Sequence, residues 1–396
     1  MGWAGCRVAR RGNRDRSLAV GRAGRPRDMR PIIIPALVVM SGLAASTSIA
    51  CARGRSDVVR PATHLAEPRA SHTTTPLDDG RLLVVGGFRK GPDGHSQLYA
   101  ATTEIIDPAR RTVIAGPRLR HARAGHAALP LVDGRILVVG GWNDEGMMRS
   151  AEIYDPRTGA FAAAGELHEP RGGFAAVRLA DGRVLVCGGG EARATRSAEV
   201  FDPADGRFHA TGAMGAPRLG HSATLLADGR VLVAGGASGR DEVIASAELY
   251  DPADGTFTPA ASLAVARYKH AATRLADGRV LLVGGADARD WKGRHDTTEL
   301  YDPTTDRFAS GPALTSPRFK LPGALVALGD AVAVAGGGAT VELVPPDHAS
   351  RTIARLGRAS FFGTATAVGE RLVIVGGYDE RLRVTTGVWI VPTTGR

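Results

Sequence analysis

Polar and apolar positions along this chain form one text that returns many times. Its clearest copy is Asp228-Gly229-Arg230-Val231-Leu232-Val233-Ala234-Gly235-Gly236: a polar turn, four apolar residues in a row, then two glycines. Close copies begin at Asp79, Asp133, Asp181 and Asp277, and weaker ones cover Asp330 to Gly337 and Glu370 to Gly377. An unbroken apolar run of this length predicts a strand buried on both faces. Ahead of it, Ser222-Ala223-Thr224-Leu225-Leu226 alternates, which predicts another strand. The matching residues elsewhere are small (Ala127 and Ala128, Ala175 and Ala176, Ala271 and Ala272, Gly363 and Thr364), as a crowded innermost strand requires. The Asp-Gly between the two strands supplies a hairpin turn. Behind the glycines, Ala247-Glu248-Leu249-Tyr250-Asp251-Pro252 predicts a third strand stopped by proline. Asp254-Gly255 predicts a turn, and Phe257 opens a fourth, outer strand.

A four-strand unit repeating every 40 to 54 residues is the pattern of propellers and related arrays. Each unit opens on an arginine, at Arg69, Arg123, Arg171, Arg218, Arg267, Arg318 and Arg358, so seven units are expected. The seventh ends after its third strand. Val58-Val59 through Leu65 matches the outer-strand text of other units. Residues 57–64 are therefore expected to pair with 385–391, joining the two ends and removing an open edge. The expected fold is all-β: a seven-bladed β-propeller with four antiparallel strands per blade, over residues 57–396.

Paired glycines after an apolar strand, followed by a spaced Tyr and a second aromatic, resemble the kelch repeat. The resemblance covers about residues 57–396. It departs in carrying Phe161, Phe208, Phe257 and Phe308 where many kelch units carry Trp, and its Arg-x-x-His and Asp-Gly-Arg text is similar to bacterial members. The resemblance implies a propeller used mostly to bind proteins or sugars. A minority of relatives are enzymes, among them galactose oxidases and sialic acid mutarotases.

Charge changes the picture less than its total suggests. The formal net charge is +10, but residues 1–30 hold nine arginines against Asp15 and Asp28 and so account for +7 of it. The ring itself is close to neutral, which argues against nucleic acid as a partner. Residues 1–28 read as a basic leader, or as an upstream extension if translation starts at Met29. Residues 29–51 read as a secretory signal: an apolar run from Pro31 to Ala45, then Ser48-Ile49-Ala50-Cys51. That last tetrapeptide resembles a bacterial lipoprotein signal with Cys51 as the lipidated residue, although Ser48 departs from the usual leucine. Simple cleavage near Cys51 and an uncleaved anchor are the alternatives. An exported, envelope-tethered or extracellular monomer is expected. Cys187, the one cysteine inside the repeats, replaces Val or Ala and reads as a small core residue.

Candidate chemistry divides into regular and irregular parts. The seven arginines could ring one mouth of the channel. A glutamate recurs in the third strand of the first six units (Glu104, Glu152, Glu199, Glu248, Glu299, Glu342), which favours a structural ring of ion pairs. His72, His126, His221 and His270 share a position that Phe174, Leu321 and Phe361 fill elsewhere, so packing explains them better than a metal. A copper-radical oxidase needs a Tyr/His set and a Cys–Tyr crosslink; Cys187 lies in a buried-strand register, which argues against it. No metal, cofactor or catalytic residue is assigned. The connections after the double glycines and the segments before the first strands are irregular and should gather on one face. They offer Arg89, Lys90, His95, Trp142, Asp144, Glu145, Trp291, Arg294, His295, Tyr378, Asp379 and Arg381 as ligand-binding candidates, with Asn143, Arg240, Asp241, Lys292 and Glu380 beside them. Aromatic rings among charges suit sugar stacking or a protein contact. The same tryptophans could instead fold back as lids. The function expected is a non-enzymatic scaffold recognising a protein or glycan; the alternative is a carbohydrate-active enzyme of mutarotase or galactose-oxidase type.

Overall fold

The computed structural model describes residues 58–91, 97–190, 193–239 and 242–393. The basic leader, the signal and Cys51 lie outside the described residues, as do His95, Arg240 and Asp241.

Seven four-stranded antiparallel sheets form the blades. Blade four shows the plan: Ser222–Leu225, Val231–Ala234, Ala247–Asp251 and Thr256–Ala260, hydrogen-bonded in that order. First strands of successive blades lie side by side and line the channel, which is why their residues are small. In blades one to five the second strands are wholly buried: Leu82–Val85, Ile136–Val139, Val184–Cys187, Val231–Ala234 and Val280–Val283. The third and fourth strands are tied by an aromatic pair. Tyr250 and Phe257 face each other in register with ring centroids 4.8 Å apart, and Tyr154–Phe161, Phe201–Phe208 and Tyr301–Phe308 repeat this. Phenylalanine thus fills the outer aromatic place without tryptophan.

The recurrent turn text has a local cause. Asp228 Oδ1 accepts the Arg230 amide at 3.1 Å while its Oδ2 takes the Arg230 Nε–H at 2.8 Å. The same Asp–Arg clasp closes the turns at Asp79, Asp133, Asp181 and Asp277. The double glycine has a different cause. A Cβ on Gly235 would meet the carbonyl oxygen of Arg267 in the next blade, and Gly236 donates its N–H to that oxygen at 2.9 Å.

Each blade from one to six is pinned by a buried arginine. Arg218 is fully buried and uses all five of its N–H donors. Nε and Nη2 reach Glu248 Oε1 at 3.2 and 2.7 Å. Nη1 reaches the carbonyls of Gly235 and Ser246, and Nη2 the Ser246 hydroxyl. Glu248 in turn accepts the amides of Gly215 and Ala216 from the segment arriving from blade three. Arg69, Arg123, Arg171, Arg267 and Arg318 make equivalent pairs with Glu104, Glu152, Glu199, Glu299 and Glu342.

Blade seven departs from the sequence expectation. Arg358 is exposed, and the lead position falls two residues later, on Ser360. Gly337 of blade six donates to the Ser360 carbonyl, as Gly236 does to that of Arg267, and the Ser360 hydroxyl bonds the Gly376 carbonyl at 2.9 Å. Trp389 occupies the glutamate register: it pairs with Ile374 as Glu248 pairs with Val233. The ring therefore has six arginine clamps, and blade seven lacks both charges together. The register also places Gly363, not Phe361, at the position that carries histidine in other blades, and moves the first strand to Thr364–Val368.

An N-terminal strand, Thr63–Arg69, completes blade seven by pairing with Thr385–Pro392. The register (Thr63↔Val388, His64↔Gly387, Arg69↔Thr385) overlaps the expected segment only at its end. Pro61 has no N–H to give a ladder. Upstream of it the chain leaves blade seven, and Val59 donates to the Arg355 carbonyl at 2.7 Å on the outer strand of blade six.

Removing one member of a buried pair strands the other. Arg218→Met should lower unfolding stability by about 3–5 kcal/mol. Adding Glu248→Leu should cost at least about 1 kcal/mol less than the two single changes summed. Urea unfolding of the four proteins in the cycle measures this, and strict additivity would show that the pair is not coupled.

Candidate functional site

Two residues beyond each lead position the backbone turns left-handed. Ser71, Gly125, Gly173, Gly220, Lys269, Lys320 and Phe362 all have φ between 53° and 64°. They hand hydrogen bonds from blade to blade around the channel mouth. Gly125 donates to Ser71, Gly220 to Gly173, Lys269 to Gly220, Lys320 to Lys269, Phe362 to Lys320 and Ser71 to Phe362, at 2.7 to 3.2 Å. Glycine adopts this conformation freely, whereas other residues bear a cost of about 1–2 kcal/mol each. Blades two to four use glycine and leave the mouth bare. Blade one places the small Ser71 there, and blades five to seven place Lys269, Lys320 and Phe362 despite the cost, so the bulk is concentrated in that sector.

That sector has an aromatic floor. Tyr268, Phe319, Phe361, Phe362 and Tyr378 are buried in one cluster with Phe88 and Val384. Trp291, on the 3-10 turn Asp290–Lys292, stands above it with 38% of its surface exposed. Its ring centroid lies 4.9 Å from that of Phe319 and 4.8 Å from that of Phe361. The Arg294 guanidinium sits 5.3 Å from the indole centroid. Lys320 Nζ lies 5.2 Å from the Trp291 centroid, 5.0 Å from Phe319 and 5.2 Å from Phe362. Lys269 Nζ is paired with Asp290 at 3.0 Å and touches the Tyr268 hydroxyl at 3.2 Å. Burial, and next the Asp290 carboxylate, push the Tyr268 phenol above its usual range, so it is a neutral donor. The site offers an exposed indole, two cations against its ring and a buried phenol.

The candidate loop residues separate into three groups. Trp291, Arg294 and the half-buried His295, whose Nε2 lies 3.3 Å from the Ala266 carbonyl, share one loop of blade five. Trp142 is buried and folded back over Gly125 and Gly172, where a Cβ would strike its ring. Tyr378 is buried in the floor. Asp379 is buried too, closing its own turn by accepting the amides of Arg381 and Arg383 and pairing with the Arg383 guanidinium at 2.7 Å. Asp144 and Glu145 are exposed at the tip of the Trp142–Asn143/Gly146–Met147 hairpin, and Arg381 is exposed. Arg89 is half-buried and Lys90 exposed on the hairpin Phe88–Lys90/Gln97–Tyr99. Lys269, Lys320, Tyr268 and Phe319 were not among the sequence candidates, although the segments before the first strands, where they sit, were expected on the same face. For Lys269 and Lys320 the available signal was bulk and charge at a position that is glycine in three other blades. Among the described residues, no three His, Cys, Asp or Glu side chains come close enough to hold a metal ion.

Seven radial sheets with a built-up sector at one mouth define a β-propeller scaffold with a decorated loop face. The family model described as "Kelch motif" matches residues 123–167, which are blade two from its clamp arginine onward. A solved structure titled "Structure of YjhT" is similar, with a TM-score of 0.55 and 12% identity, covering 82% of this chain and 95% of that one. At that identity the likeness concerns the fold alone. The comparison with curated proteins gave no match. The Kelch motif in blade two and the seven-bladed ring together support a kelch-repeat β-propeller.

The shared histidine position has a measurable consequence. His126 and His270 reach back to hydroxyls on the preceding first strand, Thr73 at 2.9 Å and Ser222 at 2.9 Å. His72 does the same to Thr364 at 3.1 Å, and His221 touches Cys187 Sγ at 3.5 Å. Burial first, then the clamp arginines Arg69 and Arg218, push His72 and His221 down to about 3; His126 and His270 are also well below the usual range. The folded values lie below the unfolded one, so these residues stabilise the fold fully above about pH 6.5. That stability is lost as pH falls from about 6.5 toward 3. His221→Phe, the residue that Phe174 supplies in blade three, should remove about one proton of uptake on unfolding in this window. The slope of stability against pH should flatten by about 1.4 kcal/mol per unit. Urea unfolding at a series of pH values checks it; an unchanged slope would mean that His221 titrates normally in the folded ring.

Proposed function

We propose that this chain is a non-enzymatic binding scaffold, exported and tethered to the cell envelope by a lipid on Cys51, that recognises a protein or glycan through the loop face of its ring. The observation that carries the reading is Trp291. It is a large apolar side chain held exposed on a rigid floor, with Arg294 and Lys320 against its ring, at the built-up side of the channel mouth. Exposed aromatics braced from below are the anchors that binding surfaces use. The regular clamps and turns hold this face still and leave its loops free to vary. Export and lipidation rest on the order of residues 29–51.

The alternative, a carbohydrate-active enzyme, predicts turnover of reducing sugars by NMR. The binding reading predicts retention without turnover. Trp291→Ala should weaken capture of the ligand by about ten-fold or more while leaving the unfolding midpoint unchanged. Glu145→Ala, on the separate hairpin of blade two, should change neither. A pull-down and a glycan array with the three proteins read this out. Equal capture by the Trp291→Ala protein would remove the indole from the interface.

A further inference from the structure

Lysine is nearly absent from this chain. Of 50 basic residues, 46 are arginine, and the four lysines are Lys90, Lys269, Lys292 and Lys320. All four fall on the loop face: Lys90 and Lys292 in loops that follow double glycines, Lys269 and Lys320 in the left-handed ring at the mouth. A chain that uses arginine wherever it needs charge has kept lysine where the two residues differ chemically. The difference is that an ammonium can lose its proton and become a nucleophile, whereas a guanidinium does not.

Lys320 has the setting that exploits this. Rings of Trp291, Phe319 and Phe362 surround its Nζ at 5.0 to 5.2 Å, and among the described residues no carboxylate stands within ion-pair distance of it. Its neighbour Lys269 is a second cation, and the nearby acid Asp290 is engaged with that neighbour at 3.0 Å. Arg294 lies against the same indole. Apolar walls and an adjacent cation are the two means by which proteins make an amine nucleophilic. From this arrangement we infer that Lys320 is a reactive amine at the channel mouth that captures small aldehydes or ketones as an imine.

Burial, and then the Lys269 ammonium, push the Lys320 ammonium down to about 8, so a sizeable fraction is neutral at physiological pH. The step balances without redox chemistry. The Nζ lone pair attacks the carbonyl carbon, and the carbonyl oxygen takes up a proton to give a carbinolamine. Loss of water then leaves a C=N bond. The aromatic walls exclude the water that would reverse it, and the open side beyond Trp291 admits the carbonyl compound. This activity is separate from the binding reading above and does not depend on it.

The test uses the purified full-length protein with propanal or pyruvate as probe and cyanoborohydride to reduce any imine in place, followed by peptide mass mapping. At pH 7.5, Lys320 should be alkylated at least about ten-fold faster than the exposed Lys90 and Lys292. Lys269→Met should slow Lys320 labelling by about three-fold or more, because it removes the neighbouring ammonium and frees Asp290 to favour the charged form. Asp290→Asn should not slow it. Lys320→Arg should abolish labelling at that site. Labelling of Lys320 at or below the rate of Lys292 in the unmutated protein overturns the inference, and that comparison needs no variant to fold. Labelling indifferent to Lys269→Met in a protein with a normal unfolding midpoint overturns it as well.

Discussion

Six of the seven blades hang on a buried arginine, and in blade four all five of its N–H donors are engaged. In blade four, the Arg218 side chain joins three pieces of backbone: the end of the second strand at Gly235, the start of the third at Ser246, and, through Glu248, the segment arriving from blade three. Burying this charge costs several kcal/mol, and a well-packed apolar replacement is often as stable. Blade seven shows that replacement, with Ser360 and Trp389 standing where Arg and Glu stand elsewhere. The pair disappears as a unit because either charge alone would be stranded. Its persistence in six blades follows from geometry: one planar donor group satisfies two carbonyls and a hydroxyl that a short, small-residue blade would otherwise bury unpaired.

The clamp also decides what the mouth can present. Fixing the arginine fixes the next residue in the floor and the one after it in the left-handed ring of hydrogen bonds. The only freedom left there is the choice of side chain. Glycine in blades two to four keeps one sector bare, and the open Gly125 and Gly172 give Trp142 a bed to sink into. In blades five to seven the same positions carry bulk. Trp291 meets Phe319 and Phe361 from below and stays exposed. One structural rule thus produces a lid on one side of the channel and a platform on the other.

This explains which parts of the molecule the sequence makes legible. Turns, double glycines and aromatic pairs each depend on residue types a few positions apart, so Asp228, Gly235 and Phe257 announce their roles. The end of the ring is harder. Arg358 with Phe361 three residues on imitates the lead text, and the missing glutamate was the clue that no buried arginine could stand there. The closing strand was placed too far upstream because Pro61 ends the ladder, a single missing donor outweighing the match in apolar pattern. Trp142 and Trp291 look alike in sequence because their fates depend on neighbours from other blades. Lys269 and Lys320 escaped notice for the same reason: their meaning lies in which rings surround them.

The two basic residue types therefore mark two different jobs. Arginine sits where charge is permanent and paired, in the six clamps and in the Asp–Arg clasps of the turns. There the planar fork matters, and an ammonium could satisfy only part of the same partners. Lys269 and Lys320 sit on left-handed backbone at the mouth, the first paired with Asp290 and the second set among aromatic rings. A residue chosen merely for solubility would be found on the exposed turns of the opposite face, where arginine is used instead. The scarcity of lysine and its confinement to the decorated face thus tie a compositional oddity to the face on which Lys269 and Lys320 take left-handed positions that glycine fills in blades two to four.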